Sequence, residues 1–171
     1  VFVQVSDTFT PKRGDELFAF LDSLPKDMQF FLEVRHPDWF GKKEILQHML
    51  DTLTAMNMGL VITDTAGRRD CAHMHLTIPK AFIRYVGNSL HPTDYTRTDV
   101  WIERMKYWLD KGLQELYFFM HMHDEAFSPE LTAYLVDKMN AACGLNLIKP
   151  VFVATDQTQS KTKQKQRGLF D

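Results

Sequence analysis

Strand-like and helix-like segments alternate along this chain, and several of the strands carry charge on one face only. In FFLEVRH (30–36), Leu32 and Val34 share one side while Glu33 and Arg35 share the other, because side chains alternate in a strand. In AFIRYVGN (81–88), Arg84 lies with Phe82, opposite Ile83 and Tyr85. In LYFFMHMH, His121 and His123 lie with Tyr117 and Phe119, opposite Met120 and Met122. Gln4 is the polar member of VFVQVS, and Asp64 ends GLVITDT (59–65). Helical spacing is read over 15–24, 42–57, 99–112 and 128–142, with Pro25, Gly112 and Gly144 as stops and Ser128 and Pro129 as a start. Residues 147–153 read as one more short strand or an extended end.

Strand, helix, strand, helix with short connections is the pattern of a parallel sheet covered by helices. An open doubly wound sheet buries both faces and would strand these charges. No Gly-rich phosphate fingerprint follows a strand. A TIM-barrel-like (β/α) barrel has an apolar outer face and an interior that opens to solvent at the C-terminal strand ends, where catalytic groups collect. The expected fold is therefore α/β, a barrel of about five βα units and hence incomplete. Residues 1–154 form that unit, and the polar Lys- and Gln-rich stretch 155–171 forms a tail. The chain opens with Val1 inside a strand-like segment, so a longer parent protein is expected.

Composition excludes some functions. A formal net charge of −2 over 171 residues gives no global basic field for nucleic acid or a membrane surface. No apolar run of membrane-spanning length occurs, no signal peptide is visible, and Cys71 and Cys143 have no metal-site spacing. A cytoplasmic location is expected.

The polar groups expected to converge at the barrel mouth are Glu33, Arg35, His36, Asp64, Arg84, His121 and His123. Arg35 and Arg84 suit an anionic, phosphate-bearing ligand, since guanidinium groups grip oxyanions with paired donors. Glu33 or Asp64 would serve as general acid/base, with His36 or His121 as a second proton carrier. His121 and His123, two residues apart, could meet one divalent metal, and Asp64 or Glu33 would complete a set suited to zinc or manganese. Trp39 would stack a ring of the ligand. The plain alternative is that Glu33 and its arginines fill the interior as a structural ion-pair network.

EVRHPDWF, the strand-ending Asp64, AFIRYVGN and the terminal QRGLF together resemble the YecE-like proteins, the domain-of-unknown-function family 72. The resemblance implies a TIM-barrel-like fold in which this chain is the C-terminal part, lacking roughly three βα units. It carries Glu33, Arg35, His36, Asp64, Arg84 and Gly87 over as site residues and supplies no reaction. Val86 stands where family members often have histidine, and MHMHDE replaces a Tyr-x-Asn-Asn ending. In the tail, Gln166, Leu169 and Phe170 match the spacing of the Gln-x-x-Leu-Phe peptide that docks bacterial DNA-maintenance proteins on the sliding clamp. Two functions follow as expectations. One is an enzyme with a barrel-top anion site, in its sharpest form a metal-assisted hydrolase of nucleic acid. The other is a non-catalytic scaffold whose tail recruits a partner.

Overall fold

The computed structural model describes residues 1–67 and 69–152. Its strands are β1 (Phe2–Gln4), β2 (Phe31–Glu33), β3 (Gly59–Thr65), β4 (Lys80–Gly87) and β5 (Glu115–Met122). They form one parallel sheet in the order β1-β2-β3-β4-β5. Its helices are α1 (Gly14–Asp22), α2 (Asp38–Gly41), α3 (Lys43–Ala55), α4 (Pro92–Asp110) and α5 (Ser128–Cys143). Sequential order means that every crossover turns the same way and lands its helix on the same side of the sheet. Accordingly α1 and α3 bury Leu17, Leu21, Met49 and Leu53 against Leu32, Val34 and Leu60. α4 and α5 bury Trp101, Met105, Leu131 and Leu135 against Ile62, Ile83 and Tyr85.

The sheet is open, with β1 and β5 as its edges, so the described residues do not close a barrel. The second expectation to change concerns α4, which starts at Pro92 and not near 99. His91 caps it by accepting from the Thr93 N–H, and Pro92 occupies the first turn, where its missing N–H costs nothing. Residues 147–152 form no strand. None of the described helices is long and apolar enough to cross a membrane.

The face opposite the helices is aromatic at the bottom and charged at the top. Phe31 and Phe82 are buried there with ring centroids 5.2 Å apart, and Phe119 stacks on Phe82 at 4.7 Å. Phe2, Tyr117 and Phe119 remain about two-fifths exposed (41%, 41% and 44%), so this face is only half covered. Phe31 reaches Phe82 across β3 because Gly59, its register partner, has no side chain. A Cβ at Gly59 would overlap the Phe31 ring. Gly59→Ala is therefore expected to cost about 2 kcal/mol in urea unfolding, in the range of overpacked cores. Gly41→Ala, where a Cβ meets nothing within 4 Å, is the control and should leave the midpoint unchanged.

Candidate functional site

The charged top of that open face is built on one carboxylate. Glu33 ends β2 and is fully buried (0% exposed). Its Oε1 accepts from Arg35 Nε at 2.6 Å, and its Oε2 accepts from Arg84 Nη1 at 2.5 Å. The same Arg84 nitrogen donates to Gln4 Oε1 at 3.1 Å, tying β1, β2 and β4 together over β3. The Arg84 guanidinium also lies 5.4 Å from the centroid of the Phe2 ring, in cation–π range. Glu33 thus receives two guanidinium groups, one from its own strand end and one from β4. Arg35 and Arg84 are partly exposed and reach solvent beside the aromatic floor.

A small cavity of about 140 Å³ adjoins Arg35 and is lined by Thr63, Thr65, Asp70 and Cys71. Thr63 is the register partner of Arg84, and its buried hydroxyl has no hydrogen-bond partner among the described groups. Cys71 donates its S–H to the Arg35 carbonyl at 2.9 Å, which fastens the β3–β4 connection to the end of β2.

Other expected members of the site lie elsewhere. Asp64 points to the helix side, because it follows Thr63 by one residue and strand faces alternate. It is buried (1% exposed), accepts from Trp101 Nε1 at 2.8 Å, and ion-pairs with Arg97 at 2.9 Å and Arg69 at 3.2 Å. Asp94, also fully buried, accepts from the Asn88 N–H and approaches Arg97, so these groups form a second ion-pair cluster behind the sheet. Its members Asp94, Arg97, Thr98 and Trp101 recur at helical spacing on one side of α4, a signal hidden because the buried face is polar.

Trp39 is not a rim aromatic. It is 2% exposed, packed edge-on against Phe18, and donates Nε1–H to the Phe9 carbonyl at 2.9 Å. Its ring locks α2 against α1 and contributes only a sliver of surface to the cavity between Phe18 and Ile45. Gly87 also points to the helix side, where a Cβ would collide with the Met122 thioether and press on Asp94 Oδ2 at 3.1 Å. Its glycine is explained by packing. His36 stays at the strand end, half-buried, accepting from the Asp38 N–H at 3.2 Å. His121 turns toward Glu125 at 3.2 Å, and His123 is exposed. The Glu125 carboxyl is held below its usual range by the Ser128 hydroxyl first and by His121 second. Among the described residues no three His, Cys, Asp or Glu side chains gather as a metal site, so His121 and His123 do not meet Asp64 or Glu33 around one ion. Gln166, Leu169 and Phe170 lie outside the described residues.

The model of a family described as "Protein of unknown function DUF72" matches residues 1–154. The chain belongs to the DUF72 family. The UPF0759 protein YecE of Escherichia coli K12 is 30% identical to this DUF72 chain over 76% of the chain and 54% of YecE. The chain thus spans about half the length of the curated relatives it matches. A crystal structure of a DUF72 protein from Enterococcus faecalis V583 superposes with a TM-score of 0.65 at 17% identity, covering 85% of this chain and 61% of that one. A second, from Thermotoga maritima MSB8, gives 0.53 at 18% identity, covering 70% of this chain and 49% of that one. These likenesses bear on the fold: a parallel α/β sheet of DUF72 type.

Proposed function

We propose that the open face of the sheet binds a phosphate-bearing ligand at the Arg35–Glu33–Arg84 cluster, as the anion seat of an enzyme of the β/α-barrel kind. In this reading the five strands are a sector of such a barrel, and the seat occupies the C-terminal strand ends where barrel enzymes place their chemistry. The observation that carries the proposal is the meeting of two partly exposed arginines on one fully buried carboxylate. Glu33 orients both guanidinium groups, so their planes are set before a ligand arrives. The Thr63 hydroxyl, without a partner among the described residues, adds a further hydrogen-bonding group beside Arg35. Phe2 and Phe119 offer exposed ring surface next to Arg84, which favours a ligand with a flat or apolar body attached to its anionic end.

Both Glu33 oxygens are already engaged, so Glu33 is here a positioning group and not the proton carrier. His36, three residues beyond the end of β2, is the proton carrier this reading retains. The metal-assisted nuclease version draws no support from this geometry, because Asp64 faces away and His121 is paired with Glu125. The scaffold reading is favoured by one feature, the full engagement of Glu33.

Calorimetric titration with inorganic phosphate and with a nucleoside monophosphate separates the two. Binding by the unmodified chain, weakened roughly 10- to 100-fold in Arg84→Gln, is expected for one lost charge-assisted pair. Equal affinity in Arg84→Gln, or no binding by either, overturns the anion seat and leaves the network structural.

A further inference from the structure

The segment joining β3 to β4, residues 66–79, is held by three fastenings. Near its start, Arg69 pairs with Asp64, and Cys71 donates to the Arg35 carbonyl. Near its end, the Thr77 hydroxyl donates to the Met58 carbonyl at 2.6 Å and Ile78 packs with Phe31, Val61 and Phe82. The middle fastening is His73, which is buried (8% exposed) and stacked against Phe40 at 5.1 Å. Both of its ring nitrogens are used by backbone. Nδ1 accepts from the His75 N–H at 3.3 Å, which puts the ring proton on Nε2, and Nε2–H donates to the Val61 carbonyl at 3.1 Å. A second ring proton would land on Nδ1, abolish the His75 bond and place a charge in a closed, largely apolar site.

We infer that residues 69–75 are an acid-released cover on the Arg35 side of the anion seat, with His73 as the latch. The reading of the seat as a ligand site is needed for the consequence of release and not for the release itself. The cover holds Asp70 and Cys71 in the wall of the cavity beside Arg35 and Thr63. With the latch open, that wall leaves, and the seat loses a carboxylate from its margin.

The groups around the latch come from three elements. α2 presents Phe40 and β3 presents the Val61 carbonyl, neither of which changes charge. The facing titratable group is His75 of the same segment, its ring 5.9 Å away. Burial depresses the His73 imidazole from 6.5 to about 4, with the Val61 carbonyl opposing and His75 reinforcing the shift. The sign follows from linkage. A histidine held neutral when closed and free to protonate when open favours the closed form above its open value of 6.5. That advantage is lost as pH falls toward 4. Between pH 7.5 and pH 5 the opening equilibrium should rise roughly 25-fold.

Hydrogen exchange followed by mass spectrometry reads this without any ligand. After correction for intrinsic exchange rates, peptides covering 69–75 should lose protection by that factor between pH 7.5 and 5, while β3 and β4 keep theirs. In His73→Gln, which keeps a neutral donor, the loss should disappear. Protection of 69–75 that stays constant in the unmodified protein, or that falls in step with the strands, overturns the inference even if His73→Gln fails to fold. Persistence of the local loss in a folded His73→Gln overturns it as well. Failure of phosphate to bind at neutral pH would remove the proposed seat and leave the exchange result untouched, so the two ideas fail separately.

Discussion

Replacing Glu33 with glutamine is expected to lower the stability of the folded chain by about 2–3 kcal/mol in urea or thermal unfolding. Both carboxylate oxygens of Glu33 accept from guanidinium donors, at 2.6 Å from Arg35 and 2.5 Å from Arg84. Glutamine keeps one acceptor and turns a pair of N–H donors toward the other arginine, so an attraction becomes a repulsion. Breaking a wholly buried ion pair costs about 3–5 kcal/mol. The figure here is lower because the Arg35 and Arg84 side chains are 34% and 20% exposed, and water recovers part of the loss. Glu33→Asp, which keeps the charge on a shorter arm, should recover part of the stability. A change below about 0.5 kcal/mol in Glu33→Gln would mean that the carboxylate is not the hub of the network. Glu33 would then be free to serve as the acid or base that the strand pattern suggests.

Asp64→Asn is expected to cost about 3 kcal/mol while leaving phosphate affinity within about twofold of the unmodified protein. The asparagine oxygen can still accept from Trp101 Nε1, so that bond survives. What is lost is the nearer of two counter-charges to Arg97, with Asp94 left at 3.5 Å. The Arg97 side chain is only 12% exposed and packs its guanidinium 4.2 Å from the Tyr85 ring centroid. Arg69 is more than half exposed and adds little. In thermal unfolding the loss should appear as a fall of roughly 6–12 °C for a domain of this size. The decisive readout is the comparison with Arg84→Gln. Asp64 lies behind the sheet, so its removal should destabilise without weakening the seat. A drop in phosphate affinity matching that of Arg84→Gln would place Asp64 functionally in the seat despite its orientation.

The contrast between Glu33 and Asp64 shows how far the sequence could be read. Strand alternation placed Glu33, Arg35 and Arg84 on one face, and they do meet, because in a sequential parallel sheet a shared face is also a shared surface. The same rule puts Asp64 and Gly87 on the helix side, opposite Thr63 and Val86. Grouping Asp64 with Glu33 by its position at a strand end overlooked that parity. Trp39 failed for a different reason. A tryptophan just past a strand has the same local pattern whether it covers the core or lines a mouth. Only the packing of Phe18 and the Phe9 carbonyl around it decides which. α4 began earlier than its apolar period because Asp94 and Thr98 are buried on its inward side, where hydrogen bonds replace apolar contact.

By itself the sequence determined what local physics controls. That includes the alternation of strands and helices, the stops at Gly112 and Gly144, the apolar and charged sides of each strand, and the family to which the chain belongs. All but the family match depend on residues within a few positions of one another. The tertiary structure alone decided which charges are partners. Arg84 reaches Glu33 across 51 residues and Gln4 across 80, and Trp101 reaches Asp64 across 37. Such pairings depend on strand order and register, and on whether a glycine such as Gly59 leaves room for a neighbouring ring. That information lies in the summed packing of the whole sheet, and no short stretch of the chain contains it.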